Sequence, residues 1–99
     1  MTAKRVDSNQ TAIVNAFRTM GVSVWITSAL GKGAPDIVLG VPQESGGRIN
    51  LLVEIKDGKK PVSQQKLTEA EEKFHDNWRG QICIIRSIEE AIALVNRVR

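Results

Sequence analysis

The sequence predicts a mixed α/β fold in the order α-β-β-β-α-β-α, a small mixed sheet flanked by helices. Two observations carry this reading. Apolar residues recur at helical spacing in three segments, and four others are rich in β-branched residues or alternate in polarity, with Gly, Pro and Ser between them. With 99 residues, 41% hydrophobic and 25% charged, the chain suits a single domain spanning 1–99 around one core.

The first helix is marked by Ile13, Val14, Phe17 and Met20, with Gly21 as its stop. "VSVWITS" (22–28), "DIVLGV" (36–41) and "INLLVEIK" (49–56) read as strands, and the turn-forming "PQESGGR" makes the last two antiparallel neighbours. A second helix runs from Leu67 to about Trp78, with Leu67, Ala70, Phe74 and Trp78 on one face and Gly80 at its end. "QICIIR" (81–86) is continuously apolar and is expected to be buried on both faces. The last helix opens with a Ser87–Glu90 capping box and turns Ile88, Ala91, Ile92, Val95 and Val98 inward.

Composition narrows the function classes. No apolar run approaches the roughly 20 residues of a membrane span, and "MTAKRVDSNQ" lacks the apolar core of a signal peptide. A cytoplasmic protein without a membrane partner is therefore expected. Cys83 is the single cysteine, which excludes an internal disulfide and a multi-cysteine metal site; its apolar surroundings predict a buried, inert thiol. The net charge of +3 permits an anionic partner without requiring one. Basic residues lie at both ends (Lys4, Arg5, Arg97, Arg99) and beside two apolar segments (Lys32; Lys59, Lys60, Lys66).

Strand alternation brings chemistry together. Ile49, Leu51, Val53 and Ile55 form one apolar face, as do Ile37, Leu39 and Val41. Glu54 and Lys56 share the opposite face of their strand, roughly 6.6 Å apart along it. Burying both odd faces on one side forces paired numbers to an even sum, and a turn near Ser45 makes that sum about 90. Asp36 then lies opposite Glu54, with Lys56 alongside. Two adjacent carboxylates repel, and plain folding does not ask for them. A divalent cation relieves the repulsion: Mg²⁺ takes one or two carboxylates with water and phosphate oxygens, and the Ile55 carbonyl can add a ligand. The competing account has Glu54 and Lys56 solvated on an exposed face and Asp36 capping a turn.

"PD" at 35–36 followed by "EIK" at 54–56 resembles the PD-(D/E)xK nuclease pattern. Together with "GKGAPDIVLG", "LLVEIKDGKKP", "LTEAEEKFHDNWRGQ" and "IIRSIEEAI", it is similar to the small stand-alone VRR-NUC nucleases of phages and prophages, over about Asp7 to Ala93. The resemblance implies a restriction-endonuclease-like PD-(D/E)xK core and Mg²⁺- or Mn²⁺-dependent phosphodiester hydrolysis. It also implies a homodimer acting on branched DNA, notably four-way junctions. Asp36 and Glu54 become metal ligands and Lys56 the catalytic lysine, orienting water and stabilising charge on the phosphorane. Related nucleases often place an acid on the first helix, where this chain has Gln10; an amide can hold a bound water but not that charge, and Asp7 and Gln10 also have capping spacing. Glu71 stands where many members carry glutamine, with Gln64 and Gln65 just upstream, and Thr68 and Glu71 also fit a capping box.

Around this centre, Gly31 and Gly33 let backbone approach a phosphate, with Lys32 adding charge, or else form a mobile turn. Lys59, Lys60 and Lys66 leave the same end of the catalytic strand and either grip DNA or are simply solvated. His75, one turn past Glu71, is expected as a hydrogen-bonded structural residue, with a catalytic part as the alternative, and Trp25 and Trp78 as core or dimer contacts rather than base-stacking platforms. Nothing resembles a helix-turn-helix or zinc finger, so recognition by DNA shape is expected. The alternatives are a nuclease for flaps, nicks or single strands, and a catalytically silent DNA-binding or assembly protein. The intact Asp36, Glu54 and Lys56 argue against the last.

Overall fold

A computed structural model describes residues 8–99. Three helices, α1 (Ser8–Thr19), α2 (Glu69–Asn77) and α3 (Ile88–Val98), accompany one four-stranded sheet of β1 (Ser23–Ile26), β2 (Ile37–Pro42), β3 (Arg48–Ile55) and β4 (Ile82–Ile85). The order along the chain is α-β-β-β-α-β-α, and the strands lie in space as β1-β2-β3-β4. The first three pair antiparallel and β4 joins β3 in parallel, so the sheet is mixed and α2 lies in the crossover.

The register of β2 and β3 follows from their apolar alternation. Ile37 pairs with Val53 and Leu39 with Leu51, each pair summing to 90, so the odd face is continuous. That face meets α1 and α3 in a core of Ile13, Phe17, Leu39, Leu51, Val53 and Leu94 with their neighbours. A one-residue slip would expose all of it.

The opposite face is less covered. The pairing carries a row of Trp25, Val38, Leu52 and Ile82 across all four strands, with Trp25 66% exposed and the others half-buried. On this face Ile82 and Ile84 of the edge strand β4 are half-buried, and so is Cys83 on the core side opposite Val53, which corrects the expectation of burial on both faces. Burial raises the Cys83 thiol pKa, so the thiol form is favoured.

α3 is also rotated from its expected setting. Ala91, Leu94 and Val95 are buried, whereas Ile88 and Ile92 are 41% and 42% exposed. Packing against α1 selects the stripe centred on Leu94. Ser87 caps α3 by accepting from the Glu90 N–H, but the Glu90 carboxylate accepts from the Arg86 N–H instead of Ser87, so only half of the predicted capping box forms.

Candidate active site

Asp36 is placed by three contacts just before β2 begins. The Thr27 N–H donates to the Asp36 carbonyl at 2.8 Å, and the Thr27 hydroxyl to the Pro35 carbonyl at 2.7 Å, tying this segment to the end of β1. The buried Ile55 N–H donates to Asp36 Oδ2 at 2.7 Å. Here the carboxylate takes the place of the next backbone acceptor in the β2–β3 ladder. Asp36 does cap a strand end, and the same bond aims it at β3.

Glu54 continues the β2–β3 register to the position facing Asp36. It is only 2% exposed, and its Oε1 is a buried atom with no hydrogen-bond partner among the described residues. Burial and then the neighbouring Asp36 carboxylate push the Glu54 pKa from 4.5 up to about 9. Burial beside Asp36 thus favours the neutral form of Glu54. The solvated alternative fails for Glu54: an ordinary surface glutamate would keep its charge and its water.

Lys56 lies 3.7 Å from Glu54 Oε2 and donates to Glu71 Oε1 at 2.8 Å. Burial works against its charge, but the Glu71 carboxylate outweighs burial and the net shift of Lys56 is upward. Burial likewise opposes ionisation of Glu71, yet the Lys56 ammonium and the Thr68 N–H bring its pKa down to about 2. The two partners agree on an ionised pair. At the same time Glu71 Oε1 accepts from the Thr68 N–H, and the Thr68 hydroxyl accepts from the Glu71 N–H, a complete capping box. The two readings of Glu71 thus coexist: it caps α2 and grips Lys56.

Gln10 is buried on α1, and its Nε2 reaches the Ser28 hydroxyl at 3.5 Å. Its suggested capping partner, Asp7, lies outside the described residues. Gly31, Lys32 and Gly33 form a left-handed run with φ of 70°, 56° and 80°. A Cβ at Gly33 would fall onto the Ala70 carbonyl, so the missing side chain there admits α2. Lys59, Lys60 and Lys66 are exposed in the segment after β3, where Asp57 accepts from the Lys59 and Lys60 N–H groups. His75 departs from the hydrogen-bonded expectation at one atom: its Nε2 is buried without a partner among the described residues. Trp78 is 43% exposed and Trp25 more so, which removes both from the core.

One supporting residue was missed by the sequence. Asn9 Nδ2 donates to the Lys56 carbonyl at 2.8 Å, linking α1 to the end of β3. Forty-seven positions separate the partners, and no local pattern signals such a bond. Among the described residues no group of three or more His, Cys, Asp or Glu side chains suits a metal. The donor set here is smaller: two carboxyls with a backbone carbonyl nearby, a set that suits Mg²⁺ when water and phosphate complete it. No helix among the described residues is long and apolar enough to cross a membrane. No family model matches the chain, and no curated protein or solved structure does.

Proposed function

We propose that this chain is a divalent-cation-dependent endonuclease that hydrolyses DNA phosphodiester bonds in a PD-(D/E)xK-type centre. One observation carries the reading: a buried Glu54 faces Asp36 from the neighbouring strand, has an unpartnered oxygen, and stands two residues before Lys56. Burial and the facing Asp36 carboxylate disfavour the charged form of Glu54, and a divalent cation would relieve that. Mg²⁺ or Mn²⁺ suits this donor set.

In this reading Asp36 and Glu54 hold the cation, and the Ile55 carbonyl assists. Ile55 suits the role because a strand residue's N–H and C=O point to the same side, and its N–H meets Asp36. When bound, the cation supplies Lewis acidity to a phosphate oxygen and acidifies a water. To hold the cation Glu54 would have to be ionised, its proton passing to solvent. Lys56, kept charged by Glu71, orients the attacking water and donates to the oxygens that gain charge at phosphorus. Glu71 fixes the ammonium in place, and Gln10 belongs to the buried polar layer beneath this corner. Lys59, Lys60 and Lys66 supply phosphate contacts that position the strand without reading bases.

The substrate proposed from the sequence resemblance is a four-way junction cut by a homodimer. A domain this small cannot span a junction alone, whereas a two-fold dimer offers two centres to opposing strands. Cleavage of junction, flap and linear duplex DNA with Mg²⁺, Mn²⁺ or EDTA tests the reading, alongside Asp36→Asn and Lys56→Ala. Both substitutions and EDTA are expected to abolish cutting. Activity that survives EDTA, or that neither substitution touches, rejects the mechanism, and preferential flap cutting rejects junction resolution.

A further inference from the structure

The surface of α2 is sorted into three stripes. Glu71 and His75 lie along one, with Glu71 bonded to Lys56. Glu69, Glu72 and Asp76 form a second, exposed and acidic. Ala70, Lys73, Phe74, Asn77 and Trp78 follow the i, i+3, i+4, i+7, i+8 series that usually marks a buried face. Among the described residues, however, α2 buries none of its side chains fully. The third stripe instead lines a groove of about 550 Å³, closed on one side by Lys32.

The Phe74 and Trp78 rings stack at 5.7 Å with 14° between their planes. Gly80 lies under the indole edge, where a Cβ would come within 2.9 Å of Trp78 Nε1. Lys32 is brought in by the left-handed run, whose Gly33 is seated against Ala70. Lys32 and Lys73 thus line the groove with the stacked rings, while the acids of the helix are not part of its lining. Phe74 and Trp78 lie about 4.5 and 10.5 Å beyond Glu71 along the helix axis. At a rise of about 3.4 Å per stacked nucleotide, that is one to three nucleotides beyond Glu71, the residue that grips Lys56.

We propose that this groove binds an unpaired nucleotide of the DNA strand, its base stacked on the Phe74–Trp78 pair and its phosphates held by Lys32 and Lys73. The identity of the strand as DNA rests on the nuclease reading; the class of ligand, a base with its phosphates, rests on the groove. A paired duplex would present phosphates to the lysines but keep its bases from the rings, so the aromatic pair selects unpaired nucleotides. The enzyme then favours substrates with an open strand beside the cut, such as the exchange point of a junction or the base of a flap.

The test is a titration in EDTA at low salt, using a Trp25→Phe protein in which Trp78 is the remaining tryptophan. A 12-nucleotide oligothymidylate is expected to quench Trp78, a duplex of that length to leave it unquenched, and Lys32→Gln/Lys73→Gln to weaken oligothymidylate binding by about 10-fold. Anisotropy of a labelled oligonucleotide reads the same affinities with both tryptophans intact. No quenching, equal quenching by duplex, or an unchanged affinity in the double-lysine protein overturns the proposal. Cleavage of junction, flap, linear duplex and single-stranded DNA in Mg²⁺, run in parallel, separates the two ideas. Quenching without cutting retains the groove and rejects the nuclease, and cutting without quenching does the reverse.

Discussion

α3 and α2 are both short, both N-capped by a hydroxyl and both acidic in their first turn, yet α3 buries Ala91, Leu94 and Val95 while no residue of α2 is fully buried among those described. α3 is held by apolar area against α1 and the sheet. α2 has nine residues, too few for a helix to persist unaided in water. What locates it is a handful of contacts near its N-terminus: the capping box, the Glu71–Lys56 pair and the fit of Gly33 against Ala70. One helix therefore serves the core and the other serves the charged corner. Stability and site geometry should respond to different substitutions.

The largest expected effect breaks the first helix. Leu94→Ala removes a fully buried side chain and should cost about 2–5 kcal/mol. For a domain of this size that lowers Tm by at least about 8 °C. Phe74→Ala on α2 should cost less than half as much in the same thermal unfolding measurement, because Phe74 is half-buried on a groove wall. Equal losses would erase the distinction between the helices.

Much of this was legible in the sequence. The element order and the β2–β3 register follow from apolar alternation, and that register is what sets Asp36 against Glu54. Other features were not legible, for physical reasons. The burial of β4 depended on whether anything covers the even face, which no property of "QICIIR" encodes. The α3 stripes centred on Ile88/Ile92 and on Leu94 are both periodic, and only contact with α1 chooses between them. Phe74 and Trp78 have core spacing, so their exposure required knowing that α2 stands off the sheet. Glu71 fitted two roles because one oxygen accepts from both Thr68 and Lys56.

A middling effect targets the joint between α2 and the loop before β2. Gly33→Ala adds a Cβ at φ of 80° and onto the Ala70 carbonyl, so the loop or the helix must move. The expected cost is about 1–3 kcal/mol, typical of forcing a disfavoured backbone geometry. Its signature is local. Amide exchange in α2 should accelerate while α3 stays protected, and Mg²⁺-dependent cutting should fall more than stability does. Uniform acceleration across both helices would show that α2 is not separately anchored.

The smallest effect in stability has the most specific sign. In the folded protein burial and then the facing Asp36 carboxylate hold the Glu54 pKa well above its ordinary value of 4.5. Between those values the native state holds a proton that the unfolded chain has lost, so stability declines as pH rises through that interval. Glu71 behaves oppositely: lowered to about 2, it contributes fully above 4.5 and loses that contribution as pH falls towards 2. Glu54→Gln cannot ionise and should remove the first slope. In EDTA its Tm should match the parent near pH 5 and rise above it progressively as pH increases towards 9. Mg²⁺ should narrow this gap by stabilising the parent alone, with release of a proton that a weakly buffered titration can count. Parallel Tm profiles from pH 5 to 9 would show that the carboxyl facing Asp36 is not held neutral by burial, and Mg²⁺ stabilisation of Glu54→Gln equal to the parent's would remove Glu54 from the cation site.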